Sequence, residues 1–290
     1  LGSVDEYIPY VQAGADELFC GYVPYNWTKK YGTILPLNRR EVLAYNVQLG
    51  SFSELEILSA MIRKYRKPVH IAMNSLYYIP EQYEEIADIV KQCMKIGFDS
   101  FILADPALVL YLRQKGISCK IHLSGEVGEM NREAIKVFQK MGIDRIIFHR
   151  KNTVASMRQM IEVVNADRLE YEAFALNELC QFTGAFCNSL HCDEMGYLCR
   201  TAYWGDTEME ERMERAIKRT LETEEQQYLC GKSGCALCAL PQLEAAGITH
   251  LKLVGRGNYV EDMIRDIRNL KGALGILEGN QREEKETGRY

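Results

Sequence analysis

The sequence lacks several features that would place it in a familiar class of proteins. No apolar run approaches the roughly 20 residues of a membrane-spanning helix, and no signal peptide opens the chain, so we expect a cytoplasmic protein without a membrane span. Basic residues are not in excess, since the net charge is −5, and this excludes a strong overall positive field for nucleic acid. The hydrolase motifs H-E-x-x-H and G-x-S-x-G are absent, as is a Ser/His/Asp order.

The remaining composition is that of a folded protein. Hydrophobic residues make up 47% and charged residues 26% of the 290 residues, which excludes disorder over the bulk of the chain. A chain of this length can bury a large core. A single (β/α) barrel of about 250 residues accounts for it as well as two smaller domains would.

One local pattern recurs four times along the chain. An amphipathic helix is followed by a glycine corner and then by a short apolar strand. The corners are Gly14-Ala15-Asp16, Gly97-Phe98-Asp99, Gly142-Ile143-Asp144 and Gly247-Ile248-Thr249. Glycine ends helices readily because it tolerates positive φ. Short apolar strands that alternate with helices favour a parallel sheet.

Seven strands are predicted from this pattern and from further apolar runs. They lie at 17–20, 68–74, 101–104, 119–124, 145–148, 169–175 and 250–254. Since a closed barrel has eight strands, we predict an α/β fold, a TIM-like (β/α) barrel whose N-terminal strand is missing or divergent and would precede Leu1. The barrel is expected to occupy residues 1–278, with a cysteine-rich insertion at 176–240 before the last strand and a polar tail at 279–290.

Cysteine is abundant and unevenly distributed. Seven of the ten cysteines lie between Cys180 and Cys238, inside the predicted insertion. In a large domain without a signal peptide, clustered cysteines more often bind metal or carry out redox chemistry than form disulfides. Their spacing leaves three alternatives open: an iron–sulfur cluster, a zinc ion, for which only Cys235 and Cys238 are spaced closely enough, or no metal.

Polar side chains at or near the predicted strand ends are candidates for binding a substrate, because barrel enzymes carry their working groups there. They are Asn74, Asp105, His122, Ser124, Arg150, Glu172 and Arg256. The two arginines could hold a carboxylate or phosphate through paired hydrogen bonds. Each candidate could instead be a hydrogen-bonded polar cap on the barrel, and no catalytic residue is assigned.

Aromatic residues also follow the predicted strand ends. They are Tyr22, Tyr25, Trp27, Tyr77 and Tyr78. Aromatic rings in such positions could stack on a planar substrate. Packing of a long loop would explain them equally well.

Motifs spread along the chain resemble those of peptidase family U32, the collagenase-like family. The family signature E-x-F-x-x-G-x-x-C, followed by a second cysteine and a serine, is similar to Glu172-Ala173-Phe174, Cys180, Cys187 and Ser189, with Asn177 in place of the first glycine. Segments 13–21, 121–131, 145–150 and 246–256 resemble further family motifs. The resemblance covers about residues 2–270.

The resemblance implies a TIM-like barrel and, from several members, one [4Fe–4S] cluster held by four cysteines. The ligands that it implies here are Cys180, Cys187, Cys199 and Cys238. Cys192 competes for the role of third ligand, whereas Cys230 and Cys235 stay unassigned. Some members are named proteases, but others act in oxygen-independent hydroxylation of tRNA uridine, ribosomal RNA cytidine or a ubiquinone precursor.

The function predicted from this resemblance is an oxygen-independent hydroxylation or redox enzyme. Its substrate would be planar or aromatic, such as an RNA base or a small quinone precursor, and a related subunit or a redox donor would be its partner. Two alternatives stay open. One is a peptidase, and the other is a non-catalytic subunit that carries the cluster in a larger assembly.

Overall fold

Seven short parallel strands form a single sheet in this protein. The computed structural model describes residues 1–32, 35–39, 47–164, 168–177, 187 and 234–287. The strand order in the sheet follows the order in the chain, and every neighbouring pair is parallel. The strands are β1 (Leu18–Gly21), β2 (Val69–Met73), β3 (Ser100–Leu103), β4 (Lys120–Leu123), β5 (Arg145–Ile147), β6 (Glu170–Leu176) and β7 (His250–Leu253).

Helices alternate with these strands along the chain. They are α1 (Tyr7–Ala13), α2 (Tyr25–Tyr31), α3 (Phe52–Tyr65), α4 (Pro80–Ile96), α5 (Pro106–Gln114), α6 (Arg132–Lys140), α7 (Val154–Val164), α8 (Leu240–Ala245) and α9 (Val260–Thr287). Short 3₁₀ turns lie at Val4–Glu6, Gly125–Val127 and Leu237–Ala239. The result is an α/β, TIM-like half-barrel, which confirms the predicted fold class.

The glycine corners that predicted the strand positions adopt the expected backbone conformation. Gly14 ends α1 with φ at 113°, and Gly97 ends α4 with φ at 108°. In both cases the left-handed residue turns the chain towards the next strand, so that β1 and β3 begin a few residues later. Each of the seven predicted strands overlaps an observed strand.

The two faces of the sheet differ in character. Residues such as Ile71, Phe101, Ile121 and Ile146 are fully buried within the large apolar core that includes the helices. Because successive side chains of a strand point to opposite faces, their neighbours in sequence lie on the other face, which we call the inner face. The candidate site is built on that inner face and at the C-terminal ends of the strands.

Strands β1 and β7 form the two edges of the described sheet. A cavity of about 490 Å³ is lined by side chains of both edge strands together with apolar side chains of α8 and α9. In a closed eight-stranded barrel, one further strand would lie between β7 and β1. This cavity occupies that position.

The C-terminal third of the chain contains helix α9 and most of the predicted insertion. Helix α9 continues to Thr287, so that the polar tail expected from residue 279 is helical at least as far as Thr287. Most of the predicted insertion at 176–240 lies outside the described residues.

Within the described ranges, none of the helices combines the length and the apolar character needed to cross a membrane.

Candidate functional site

A network of charged side chains lies on the inner face near the N-terminal ends of the strands. Arg145, which begins β5, is only 3% exposed and contacts Glu17 at 2.7 Å, Glu170 at 2.8 Å and Glu172 at 3.0 Å. Lys252 of β7 contacts the second oxygen of Glu172 at 3.0 Å. Buried charges are tolerated when they are paired in this way. The network therefore links β5, β6 and β7 to the residue that precedes β1.

The carboxylates of this network are held in the charged form. Burial alone would raise the pKa of Glu172, but Lys252 and Arg145 lower it below its ordinary value. Burial acts in the same direction on Glu17, whose pKa is nevertheless lowered by contacts with His250, His70 and Arg145. These shifts identify the network as a set of matched ion pairs.

Two histidine rings lie beside this network. His70 contacts Glu17 through Nε2 at 3.1 Å, and its ring centroid lies 4.5 Å from that of His122. Burial, together with the neighbouring His70 and Arg145, lowers the pKa of His122 to about 2. His122 is therefore a neutral ring at physiological pH.

Glu172 lies within strand β6, which continues to Leu176, one residue beyond the predicted end at residue 175. His122 is the third residue of β4 and lies opposite Arg145 in the register between β4 and β5. Glu172 thus belongs to the ionic network, and its contacts favour a structural role. His122 lies beside the network as a neutral ring, and its buried Nδ1 atom has no hydrogen-bond partner among the described residues.

An apolar layer follows the ionic network on the inner face. Its buried members are Ala72, Ile102, Ile147, Phe174 and Ala236, with Phe19, Ala239 and Val254 packed against them. Phe174 lies two residues beyond Glu172 on the same face of β6, and Ile147 lies two residues beyond Arg145 in β5. Towards the C-terminal ends of the strands, the inner face therefore changes from ionic to apolar.

Beyond the apolar layer lies the mouth, by which we mean the residues that follow the C-terminal ends of the strands and those bonded to them. Glu126, which follows β4, contacts Arg39 at 2.9 Å with one carboxylate oxygen and Arg150 at 2.9 Å with the other. The side chains of both arginines are less than 10% exposed. The guanidinium of Arg150 lies 5.7 Å from the ring centroid of Phe174. One carboxylate thus positions two guanidinium groups at the mouth.

Arg256 lies at the mouth beyond β7. Its Nη1 atom donates to Oε1 of Gln48 at 3.4 Å, and its guanidinium lies 5.5 Å from the ring centroid of Phe19. Arg150 and Arg256 therefore each lie over an aromatic ring of the same apolar layer. Among the described residues, Arg256 lines the 490 Å³ cavity and Arg150 does not. The described cavity is therefore not shared by the two arginines.

Two further predicted residues support this arrangement through the backbone. The side-chain oxygen of Asn74 accepts a hydrogen bond from the backbone N–H of Arg39 at 3.3 Å. The hydroxyl of Ser124 accepts one from the backbone N–H of Glu126 at 3.3 Å. Both side chains thus fix the loops that carry the charged groups of the mouth.

Asp105 has a different environment. One oxygen accepts a hydrogen bond from the backbone N–H of Ala107 at 2.8 Å, and the other accepts one from the hydroxyl of Tyr83 at 2.7 Å. The first contact caps the N-terminus of α5, and the second ties that helix to α4. The geometry therefore favours a structural role for Asp105.

The predicted cluster ligands are described only in part. Cys180 and Cys199 lie outside the described residues, as do Cys192 and Cys230. Cys187 is buried, and its carbonyl oxygen accepts a hydrogen bond from Arg39 at 3.0 Å.

Cys238 is exposed and belongs to the 3₁₀ turn at Leu237–Ala239. That turn follows Cys235, which forms an antiparallel bridge with Leu176 at the end of β6. Cys187 and Cys238, two of the four predicted ligands, are thus connected to the C-terminal side of the sheet.

A metal site cannot be traced from the described cysteines by themselves. In the described part of the chain, no three His, Cys, Asp or Glu side chains are grouped so that they could hold a metal ion. Only Cys187 and Cys238 of the four predicted ligands fall in that part. Cysteine side chains are the ligands that iron–sulfur clusters take, and the described Cys187 and Cys238 are both connected to the C-terminal side of the sheet.

The aromatic residues that follow the strand ends divide into two groups. Tyr22, Trp27 and Tyr78 are buried, so that for these three the packing interpretation is confirmed. Tyr25 and Tyr77 are exposed. The sequence could not distinguish the buried from the exposed residues, because both kinds follow the ends of β1 and β2 within a few positions.

Sequence reasoning missed Arg39 and Glu126. Arg39 lies in the long connection between β1 and β2, far in sequence from the groups that it contacts. Glu126 lies two residues beyond Ser124, which the sequence did identify. A search for charged side chains within a few residues of each strand end would have found Glu126. No comparable signal exists for Arg39.

Comparison with known proteins adds to this geometry. The family model described as peptidase family U32 matches residues 2–289. Among solved structures, the U32 peptidase Mk0906 is similar with a TM-score of 0.40 and 14% sequence identity, over 56% of this chain and 70% of that one.

Two curated relatives are tRNA hydroxylation proteins by name. tRNA hydroxylation protein P1 of Bacillus subtilis (strain 168) is 22% identical over 260 residues, which is 88% of this chain and 57% of the relative. tRNA hydroxylation protein P of Escherichia coli (strain K12) is 26% identical over 175 residues, which is 60% of this chain and 34% of the relative. The chain thus spans about half the length of the first relative and a third of the second.

Proposed function

Because this chain belongs to peptidase family U32, we propose that it is an iron–sulfur enzyme that hydroxylates a base in RNA without molecular oxygen. The observation that carries the proposal is the similarity to tRNA hydroxylation protein P1, which extends over 88% of the chain. The relative's name gives the reaction and the class of substrate. The geometry of the mouth supports a site for an anionic, planar substrate.

The binding groups of the proposed site are Arg150 and Arg256. An RNA substrate carries phosphates, and guanidinium groups bind phosphate through charge-assisted hydrogen bonds. The Phe174 and Phe19 rings lie beneath these guanidinium groups and provide an apolar floor. Glu126 holds Arg150 in place, and Asn74 and Ser124 hold the loops of the mouth.

The proposed cofactor is one [4Fe–4S] cluster held by Cys180, Cys187, Cys199 and Cys238. Such a cluster, when bound, supplies electron-transfer chemistry. This chain's own residues would bind and orient the substrate. The contact of Arg39 with the carbonyl oxygen of Cys187 would tie the cluster loop to Glu126 and Arg150. Converting a C–H bond of the base to C–OH takes two electrons from the base, so that without molecular oxygen water would supply the oxygen atom and a redox protein or related subunit would accept the electrons.

The cluster is tested by metal analysis of anaerobically purified protein. We expect stoichiometric iron and acid-labile sulfide in the wild type, and loss of both when any of the four ligands is changed to serine, because cluster binding requires the complete thiolate set. The matched controls are Cys93→Ala and Cys119→Ala, since burial raises the pKa of both thiols. These two variants should keep their iron. Iron that survives in a Cys180→Ser/Cys187→Ser double variant would reject the ligand assignment.

The reaction is tested separately by mass spectrometry of tRNA nucleosides. RNA from cells that lack the protein should miss a nucleoside that is heavier by one oxygen atom than its unmodified parent nucleoside, and expression of the protein should restore it. Iron-free protein that cleaves peptides and leaves the RNA unchanged would favour the peptidase alternative and contradict the proposal.

A further inference from the structure

The large apolar side chains exposed on the described surface divide into two groups. The aliphatic ones lie on helices of the outer layer: Ile57, Leu110, Val137, Val163 and Ile276. The aromatic ones are three tyrosines. Tyr25 is 76% exposed, Tyr77 is 67% exposed and Tyr259 is 79% exposed.

These tyrosines share one position in the fold. Tyr25 follows β1, Tyr77 follows β2 and Tyr259 follows β7, each before the next helix has made its first turn. Because all strands of the sheet are parallel, the three loops leave the sheet on the side of the C-terminal strand ends. Arg39, Arg150 and Arg256 lie on the same side.

The exposed rings are carried by ordered backbone. The residue after Tyr77 is the buried Tyr78, whose hydroxyl donates to the carbonyl of Leu37 at 2.6 Å. Two residues after Tyr25 comes the fully buried Trp27, whose indole N–H donates to the carbonyl of Leu35 at 3.2 Å.

Tyr259 is held in a similar way. Its carbonyl oxygen accepts the backbone N–H of Met263 at 3.1 Å, in the first turn of α9. The three exposed rings thus belong to loops that are held by hydrogen bonds at or next to the tyrosines. Rings that are anchored in this way lose little conformational freedom when a ligand stacks on them.

We propose that Tyr25, Tyr77 and Tyr259 form a stacking rim that binds unpaired bases of an RNA loop around the nucleotide to be modified. The proposal rests on the proposed function, because it specifies how that RNA is recognised. In a duplex the faces of the bases are covered by their neighbours, so that separate aromatic rings can stack only on splayed, single-stranded bases. Three largely buried arginines lie on the same side of the sheet beside Glu126 and Glu129, and Arg256 is the one of the three that lines the cavity.

The rim is tested by the binding of a fluorescently labelled RNA hairpin with uridines in its loop, compared with the same strand closed into a full duplex. We expect the wild type to prefer the hairpin. Changing each tyrosine to alanine should weaken hairpin binding by about 5- to 100-fold for every base that loses its stacking partner. The corresponding phenylalanine variants should stay within about twofold, because the ring face is kept.

Ile276→Ala is the matched control, since Ile276 is equally exposed but lies on the outer surface of α9. Its affinity for the hairpin should be unchanged. Circular dichroism would show that each variant is folded. Alanine variants that bind the hairpin as tightly as the wild type would overturn the proposal, and so would equal affinity of the wild type for hairpin and duplex.

The test separates the rim from the proposed reaction, because binding is measured without turnover. Hairpin affinity that depends on the tyrosines supports the rim even in protein that lacks iron or does not hydroxylate RNA. Conversely, if the enzyme is active but its affinity for the hairpin is unchanged in all three alanine variants, the rim is rejected and the proposed function stands.

Discussion

Arg145 illustrates how individual residues hold this sheet together. Its guanidinium contacts three carboxylates although the side chain is almost completely buried. Removing one partner of such a buried set leaves an uncompensated charge, which typically costs about 3–5 kcal/mol. The network thus makes the folded state sensitive to the charge of its members, and above all to that of Glu172, which is 6% exposed.

Lowering the pH should remove the stabilisation that Glu172 contributes. Its pKa is lower in the folded protein than in the unfolded chain, so its contribution is complete above the unfolded value of about 4.3 and is lost as the pH falls through the folded value. Between about pH 5 and pH 3, the wild type should therefore lose more free energy of unfolding than Glu172→Gln does. Urea unfolding at each pH measures this. The exposed Glu56→Gln should follow the wild type, and parallel curves for wild type and Glu172→Gln would contradict the expectation.

Single residues were predictable from the sequence to the extent that their roles are local. Arg150 and Arg256 were found because they follow strands that the apolar pattern had located. Asn177, which replaces a glycine of the family signature, adopts φ of 63°, a conformation in which asparagine is enriched. Arg39 and its contacts with Glu126 and Cys187 depend on loops that meet only in the folded chain, so no local pattern predicted them.

At the scale of elements, the start of α5 explains a residue that the sequence had assigned to substrate. Asp105 ends the loop after β3, accepts the N–H of Ala107 and accepts the hydroxyl of Tyr83 on α4. Pro106 follows at the first helical position, where proline is favoured. The aspartate thus begins one helix and attaches it to the preceding one.

Asp105→Ala should destabilise the protein without a specific effect on RNA binding. The loss of the N-cap should cost about 1–2 kcal/mol, and the partly buried Tyr83 hydroxyl would lose its acceptor as well. Asp105→Asn keeps a side-chain oxygen for the cap and should retain more of the stability. Urea unfolding measures both variants. An Asp105→Ala protein with normal stability and weakened RNA binding would restore the substrate-binding interpretation.

The strands were the most predictable elements, for a physical reason. Each is a short apolar run bounded by a polar or glycine corner, and buried parallel strands carry this signal within their own residues. The end of β6, predicted at residue 175, lies at Leu176. The bridge between Leu176 and Cys235 was not predictable, because Cys235 comes from a distant part of the chain.

At the scale of the whole molecule, the described strands β1 and β7 are not paired with each other, and a cavity lies between them. The cavity there is lined by apolar side chains such as Leu251, Leu253 and Leu274, and β1 and β7 present their outer edges to it. The apolar part of this cavity and the two strand edges beside it are suited to backbone pairing and apolar burial.

An added strand should therefore stabilise the molecule. A short run of alternating valine and threonine fused directly to Leu1 would offer backbone partners to β1 and β7 and fill part of the apolar cavity. We expect the midpoint of thermal unfolding to rise by several degrees, since about 1 kcal/mol shifts it by roughly 2–4 °C in large domains. A matched extension with proline at every second position cannot donate the required hydrogen bonds and should give no increase. Equal midpoints for the two fusions would show that the gap does not accept a strand.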